Sequence, residues 1–91
     1  RALCLDPEAR SVTLHGQRVA LTQLEFDLLA LLLAHPRQVF TRAHLLQSVW
    51  GYDFLGEEKA VNIHIMNLRR KLGREIIETV RGVGYRLGDE T

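Results

Sequence analysis

The side chains able to do chemistry here are guanidinium, ammonium and amide groups crowded into one stretch. Between residues 59 and 86 lie seven basic residues (Lys59, Arg69, Arg70, Lys71, Arg74, Arg81, Arg86) against two acidic ones, Glu75 and Glu78. Residues 1–58 carry five basic and seven acidic side chains, and the tail adds Asp89 and Glu90. The formal net charge of +1 hides this segregation, yet a local positive field attracts a polyanion whatever the rest of the chain carries. Asn62 and Asn67 sit in the same stretch, where their amides suit the donor–acceptor edge of adenine, and Ile63 suits the methyl group of thymine. The competing reading is a solvated cationic helix, its asparagines meeting only water and Ile63 packed on a neighbouring loop.

Other chemistries find no support. The single cysteine, Cys4, excludes an internal disulfide framework and any paired-cysteine zinc or redox site. The histidines at 15, 35 and 44 are scattered and have no metal-ligand spacing. No glycine-rich phosphate loop, no paired carboxylates and no serine–histidine arrangement stands out. The reading is of a protein that is not an enzyme and takes no cofactor or metal. The longest apolar run, Leu28 to Ala34, is far short of the ~20 residues that cross a bilayer. A domain working in the cytoplasm, away from membranes, is expected. With 91 residues and no starting methionine, the chain reads as one domain (1–91) excised from something longer.

The elements that must position these groups follow from periodicity. Residues 2–21 alternate with period two (Leu3, Leu5; Val12, Leu14; Val19, Leu21), with turns at Asp6-Pro7-Glu8 and His15-Gly16. They read as an N-terminal antiparallel sheet of three strands or four. Residues 22–72 read as a three-helix core. Thr22 and Glu25 have capping-box spacing, with Leu21 and Phe26 as a staple, and Pro36 stops this nearly all-apolar helix near His35. Phe40-Thr41 repeats the staple and cap before a second helix, Arg42 to Trp50, ended by Gly51. The third helix runs from Glu57 or Glu58 to Leu72, with Gly73 as its cap. Its core stripe is Val61, Ile65, Leu68 and Leu72, which leaves Ile63 and Met66 well off the buried side. Residues 76–87 read as two short strands joined by Arg81-Gly82-Val83-Gly84. Three helices followed by a basic-tipped hairpin make an α+β winged helix-turn-helix, which presents one helix to the major groove and its wing to an adjacent groove.

The runs AVNIHIMNLRRKLG and ETVRGVGYRL, with LTQLEFDLLALLLAHPRQVFTRAHLLQSVWG before them, resemble the effector domains of OmpR/PhoB-type response regulators over residues 2–87. The resemblance implies sequence-specific binding of double-stranded DNA in transcription control. It also implies an upstream receiver domain, phosphorylated by a sensor histidine kinase. Two copies would then bind head-to-tail on direct repeats, the fragment alone being monomeric.

Residue by residue, Lys59, Asn62, Ile63, Met66, Asn67, Arg69 and Arg70 match family positions at or near the groove. His64 resembles a phosphate contact, though a satisfied, half-buried histidine fits equally. Trp50 matches a position touching the DNA backbone, or is a core tryptophan at a helix end. Arg42 lies near a helix start, where backbone N–H groups and its own charge favour phosphate, or is a solvated surface arginine. Arg81 resembles the wing arginine of the minor groove, and Gly82 relieves the backbone beside it. Thr79 and Tyr85 match positions whose hydroxyls meet phosphate or base, with a core role open for Tyr85. Residues Tyr52, Asp53, Phe54, Leu55 and Gly56 match a loop that resembles a contact surface for RNA polymerase. Met66 and Asn67 depart from the pattern, since many members carry arginine or lysine there. The alternative function is a winged-helix interaction module whose basic face binds an acidic protein.

Overall fold

The computed structural model describes residues 2–51 and 56–88. It opens with strands β1 (Leu3–Asp6), β2 (Ser11–Leu14) and β3 (Gln17–Val19), hydrogen-bonded in that order. The Asp6 carboxylate accepts from Glu8 N at 3.0 Å and Ala9 N at 3.3 Å, the side-chain turn that reverses β1 into β2. His15 (φ 51°) and Gly16 (φ 82°) form the two-residue turn that joins β2 to β3. Leu3 faces Leu14, Leu5 faces Val12, and Val12 faces Val19, so the period-two leucines and valines share one face. The sheet has three strands, and Leu21 lies beyond the last of them.

Helix α1 (Gln23–Ala34) starts at the expected capping box: Thr22 Oγ1 accepts from Glu25 N, and Glu25 Oε1 accepts from Thr22 N at 3.0 Å. It stops at His35, just before Pro36. Leu28, Leu29 and Leu32 are wholly buried and form the centre of the domain. Strand β4 (Phe40–Thr41) leads into α2 (Arg42–Leu45), with Thr41 Oγ1 capping His44 N at 3.0 Å. The second helix does not continue uniformly to Trp50. From Leu46 to Trp50 the backbone widens into a π turn, which seats the Trp50 ring edge-on against His64, 5.0 Å between centroids. A tertiary contact here accompanies the loss of the regular helical period.

Helix α3 (Lys59–Leu72) begins a residue or two later than expected. The Glu57 and Glu58 carbonyls accept from Ala60 N and Val61 N, so the acidic pair forms the turn ahead of the helix. Its buried residues are the stripe Val61, Ile65, Leu68 and Leu72. Gly73 (φ 108°) ends it, and a 3-10 turn, Arg74–Ile76, leads on to the next strand.

The wing contains β5 (Ile77–Val80) and β6 (Gly84–Leu87), but it is not a free hairpin. β4 pairs with β6, giving a three-stranded sheet ordered β4-β6-β5. Ile76 belongs to the turn rather than the strand, and Gly84 to the strand rather than the tip. The reason for Gly84 is close approach: a Cβ there would overlap the Phe40 carbonyl. Phe40, Ile77 and Leu87 from this sheet, with Leu3 and Val12 from the first, close the core over α1 and α3.

Candidate nucleic-acid interface

The outer side of α3 is cationic and apolar at once. Ile63 is 55% exposed and Met66 67%, on the side of the helix away from its buried stripe. At about 100° per residue, Lys59, Ile63, Met66 and Arg70 line up along this outer side. Lys59 and Arg70 are exposed, and among the described residues Lys59 pairs only with the equally exposed Glu57, at 3.4 Å. Exposed pairs of this kind contribute little and give way to a better partner. Asn67 is half-buried at the flank.

The other flank is tied to the wing. The Tyr85 hydroxyl donates to Asn62 Oδ1 at 2.8 Å. Arg69 donates from Nη2 and Nε to the Ile77 carbonyl, at 2.7 and 3.2 Å, and from Nη2 to Thr79 Oγ1 at 2.8 Å. Its guanidinium carbon lies 5.8 Å from the centre of the Tyr85 ring. Asn62, Arg69, Thr79 and Tyr85 therefore set the angle between helix and wing. Three of them keep capacity beyond these bonds: Asn62 its amide N–H groups, Thr79 its hydroxyl proton, Tyr85 its oxygen lone pairs.

At the wing tip, Val83 N bonds to the Val80 carbonyl at 2.9 Å, closing a four-residue turn with Gly82 third at φ 77°. That positive φ calls for glycine and places Arg81 at the outer corner. Arg81 and Val83 are exposed, and Arg81 makes no hydrogen bond or ion pair with any described residue. Between the tip and the start of α2 lies an open hollow of about 270 Å³ bordered by Arg42, Thr79, Arg81 and Tyr85. Arg42 reaches Glu58 at 4.0 Å, both ends exposed.

His64 is half-buried, its Nδ1 2.9 Å from the Ala60 carbonyl and its ring against Trp50. These contacts are the ones a half-buried, hydrogen-bonded histidine would make, with Trp50 packed beside it. Of the residues matched to the polymerase contact, Gly56 is exposed, while Tyr52–Leu55 lie outside the described residues.

One residue absent from the expected set joins this surface. Arg74, just past α3, lines an open groove of about 540 Å³ with Met66, Arg69, Arg70 and Thr79. Its only signal in the sequence is its place in the basic stretch. Among the described residues, no group of three or more histidine, cysteine or acidic side chains could hold a metal, and no helix is long and apolar enough to cross a membrane.

The model of the C-terminal domain of transcriptional regulatory proteins matches residues 16–87. The chain belongs to that family. It is thus an OmpR/PhoB-type response-regulator DNA-binding domain with the winged-helix fold. The DNA-binding response regulator MtrA of Mycobacterium tuberculosis is 46% identical over 89 residues, covering 92% of this chain and 39% of MtrA. The DNA-binding domain of CpxR from E. coli has a TM-score of 0.82 at 42% identity, covering 94% of this chain and 89% of that one. The Klebsiella pneumoniae RstA DNA-binding domain, solved with its RstA box, has a TM-score of 0.86 at 35% identity, covering 97% and 92%. This response-regulator domain spans about two fifths of the length of the full relatives it matches.

Proposed function

We propose that this domain grips duplex DNA as the effector of a two-component response regulator, with α3 in the major groove and the Arg81–Val83 tip in the neighbouring minor groove. The observation that carries the reading is the outer side of α3, where Ile63 and Met66 stand in water between Lys59 and Arg70. Large apolar side chains exposed on a cationic helix gain by covering thymine methyls while the cations neutralise phosphates. The wing is held at a set angle to α3 by Tyr85 and Arg69, so both elements meet the duplex as one rigid surface.

The remaining parts of the proposal concern partners. An upstream receiver, phosphorylated by a sensor histidine kinase, brings two copies head-to-tail onto direct repeats. The segment Tyr52–Gly56 meets RNA polymerase, and the whole works in the cytoplasm. An enzymatic role has no part in it.

A gel-shift titration on random duplex at low and raised salt tests the central claim. DNA binding requires a steep fall of log affinity with log salt, from counterion release. No shift of duplex at low salt, with tight capture of an acidic protein instead, overturns it.

A further inference from the structure

The groove between the end of α3 and β5 holds an electrostatic imbalance. Three guanidinium-bearing residues, Arg69, Arg70 and Arg74, line it together with Met66 and Thr79. Arg69 is taken up by the Ile77 carbonyl and the Thr79 hydroxyl. Arg70 and Arg74 make no hydrogen bond or ion pair with any described residue. Neither nearby acid forms an ion pair with Arg70 or Arg74. Glu78 is engaged by Arg86 across the wing at 2.9 Å, and the Glu75 carboxylate lies over Gly73. Like charges gathered without a counter-ion repel one another, and an anion between them removes that cost.

We infer that this groove takes one phosphodiester of the bound DNA strand, held between Arg70 and Arg74, with the Thr79 hydroxyl as a third donor. The inference rests on the DNA-binding reading above and adds Arg74, which lies beyond the recognition helix, to the contacts. Thr79 suits the role because its oxygen already accepts from Arg69, which leaves the hydroxyl proton to point into the groove. The planar forks of two arginines match the oxygens of a phosphodiester. Met66 forms an apolar wall beside them.

The test compares Arg74→Gln and Arg70→Gln/Arg74→Gln with Arg18→Gln, an exposed arginine on β3, each titrated onto a random and a selected duplex over a range of salt. Arg74→Gln is expected to weaken binding about tenfold, as befits a lost charge-assisted hydrogen bond. The double variant is expected to flatten the log–log salt slope by about 0.9, one phosphate. Both losses should be equal on the two duplexes, since a phosphate carries no sequence, and Arg18→Gln should change neither. If the wild-type domain binds with its steep slope and Arg74→Gln matches it, the inference fails while the DNA-binding reading stands. If the wild type shows no salt-dependent binding, that reading itself has failed. A loss confined to the selected duplex makes Arg74 a base reader and overturns the phosphate assignment. Inorganic phosphate, added to the free domain at constant ionic strength, should leave the Arg74 side-chain resonance in place. A saturable shift at micromolar phosphate makes the groove a free-anion site instead.

Discussion

Tyr85 on β6 donates its hydroxyl to Asn62 in the first turn of α3, 2.8 Å across 23 positions of sequence. The two residues lie on elements expected to enter different grooves, and the bond fixes the relation of one to the other. Removing it should loosen that relation without unfolding the domain. Tyr85→Phe is expected to cost about 0.5–1.5 kcal/mol of stability, the usual net worth of such a bond. A double-mutant cycle with Asn62→Ala in urea should return a coupling energy of the same size. A coupling of zero means that the bond contributes nothing in solution.

A second long-range bond gives the domain an acid limit. Glu25 is 3% exposed, yet it caps α1 and accepts from Lys71 Nζ at 2.6 Å. Burial pushes its carboxyl up, but the Lys71 ammonium and the Thr22 N–H outweigh that and hold it below its ordinary value near 4.5. A carboxylate depressed in the fold contributes stability that is fully present above the unfolded pKa. That stability is lost as pH falls through the folded value. Stability should therefore be level above about pH 5 in respect of this group and fall below about 4.5. Lys71→Met should cost roughly 2–3 kcal/mol at neutral pH, less than a fully buried pair because Lys71 stays partly exposed. Urea midpoints between pH 3 and 7 check both, and a Glu25→Gln variant should lose the acid-side slope.

At the tip of the wing, Arg81→Ala should weaken binding and relax the preference for A·T pairs beside the helix site. A narrow A-tract minor groove attracts arginine, and Arg81 stands exposed at the corner of a glycine turn. Selection from a random pool reads this directly, and an unchanged motif at unchanged affinity refutes it.

Met66 tests the rotation of α3. With methionine and asparagine at positions 66 and 67, the helix should select a more A·T-rich half-site than relatives bearing arginine there. Met66→Arg should raise affinity for all sequences and steepen the salt slope by about one unit. If neither slope nor affinity moves, residue 66 does not face the nucleic acid, and the assignments of Asn62, Ile63 and Asn67 fall with it.

Taken alone, the domain should sediment as a monomer and bind a single half-site weakly. A module of this size buries roughly 600–1,000 Å² on DNA. A stable dimer without DNA in analytical ultracentrifugation contradicts that expectation.

What the sequence determined by itself was whatever depends on near neighbours. Thr22 and Glu25 are three positions apart, so the capping box could be read and is present. The His15-Gly16 turn and the buried stripe of α3 come from local backbone preference and helical period in the same way. Exposure of Ile63 and Met66 came with that stripe, because burying one side of a helix leaves the opposite side to solvent. Tertiary structure alone decided the contacts between distant segments. Phe40-Thr41 read as a staple and a cap, and they also form the strand that carries the wing. Nothing local marks a strand of two residues whose partner lies more than forty positions on. Arg69 read as a cation for the groove, and Lys71 as one more charge in a basic run. Folding turns Arg69 onto β5 and Lys71 onto the buried carboxylate of α1. Charge can be read from residue type, but the partner that takes it up depends on which segments packing brings within a few ångströms.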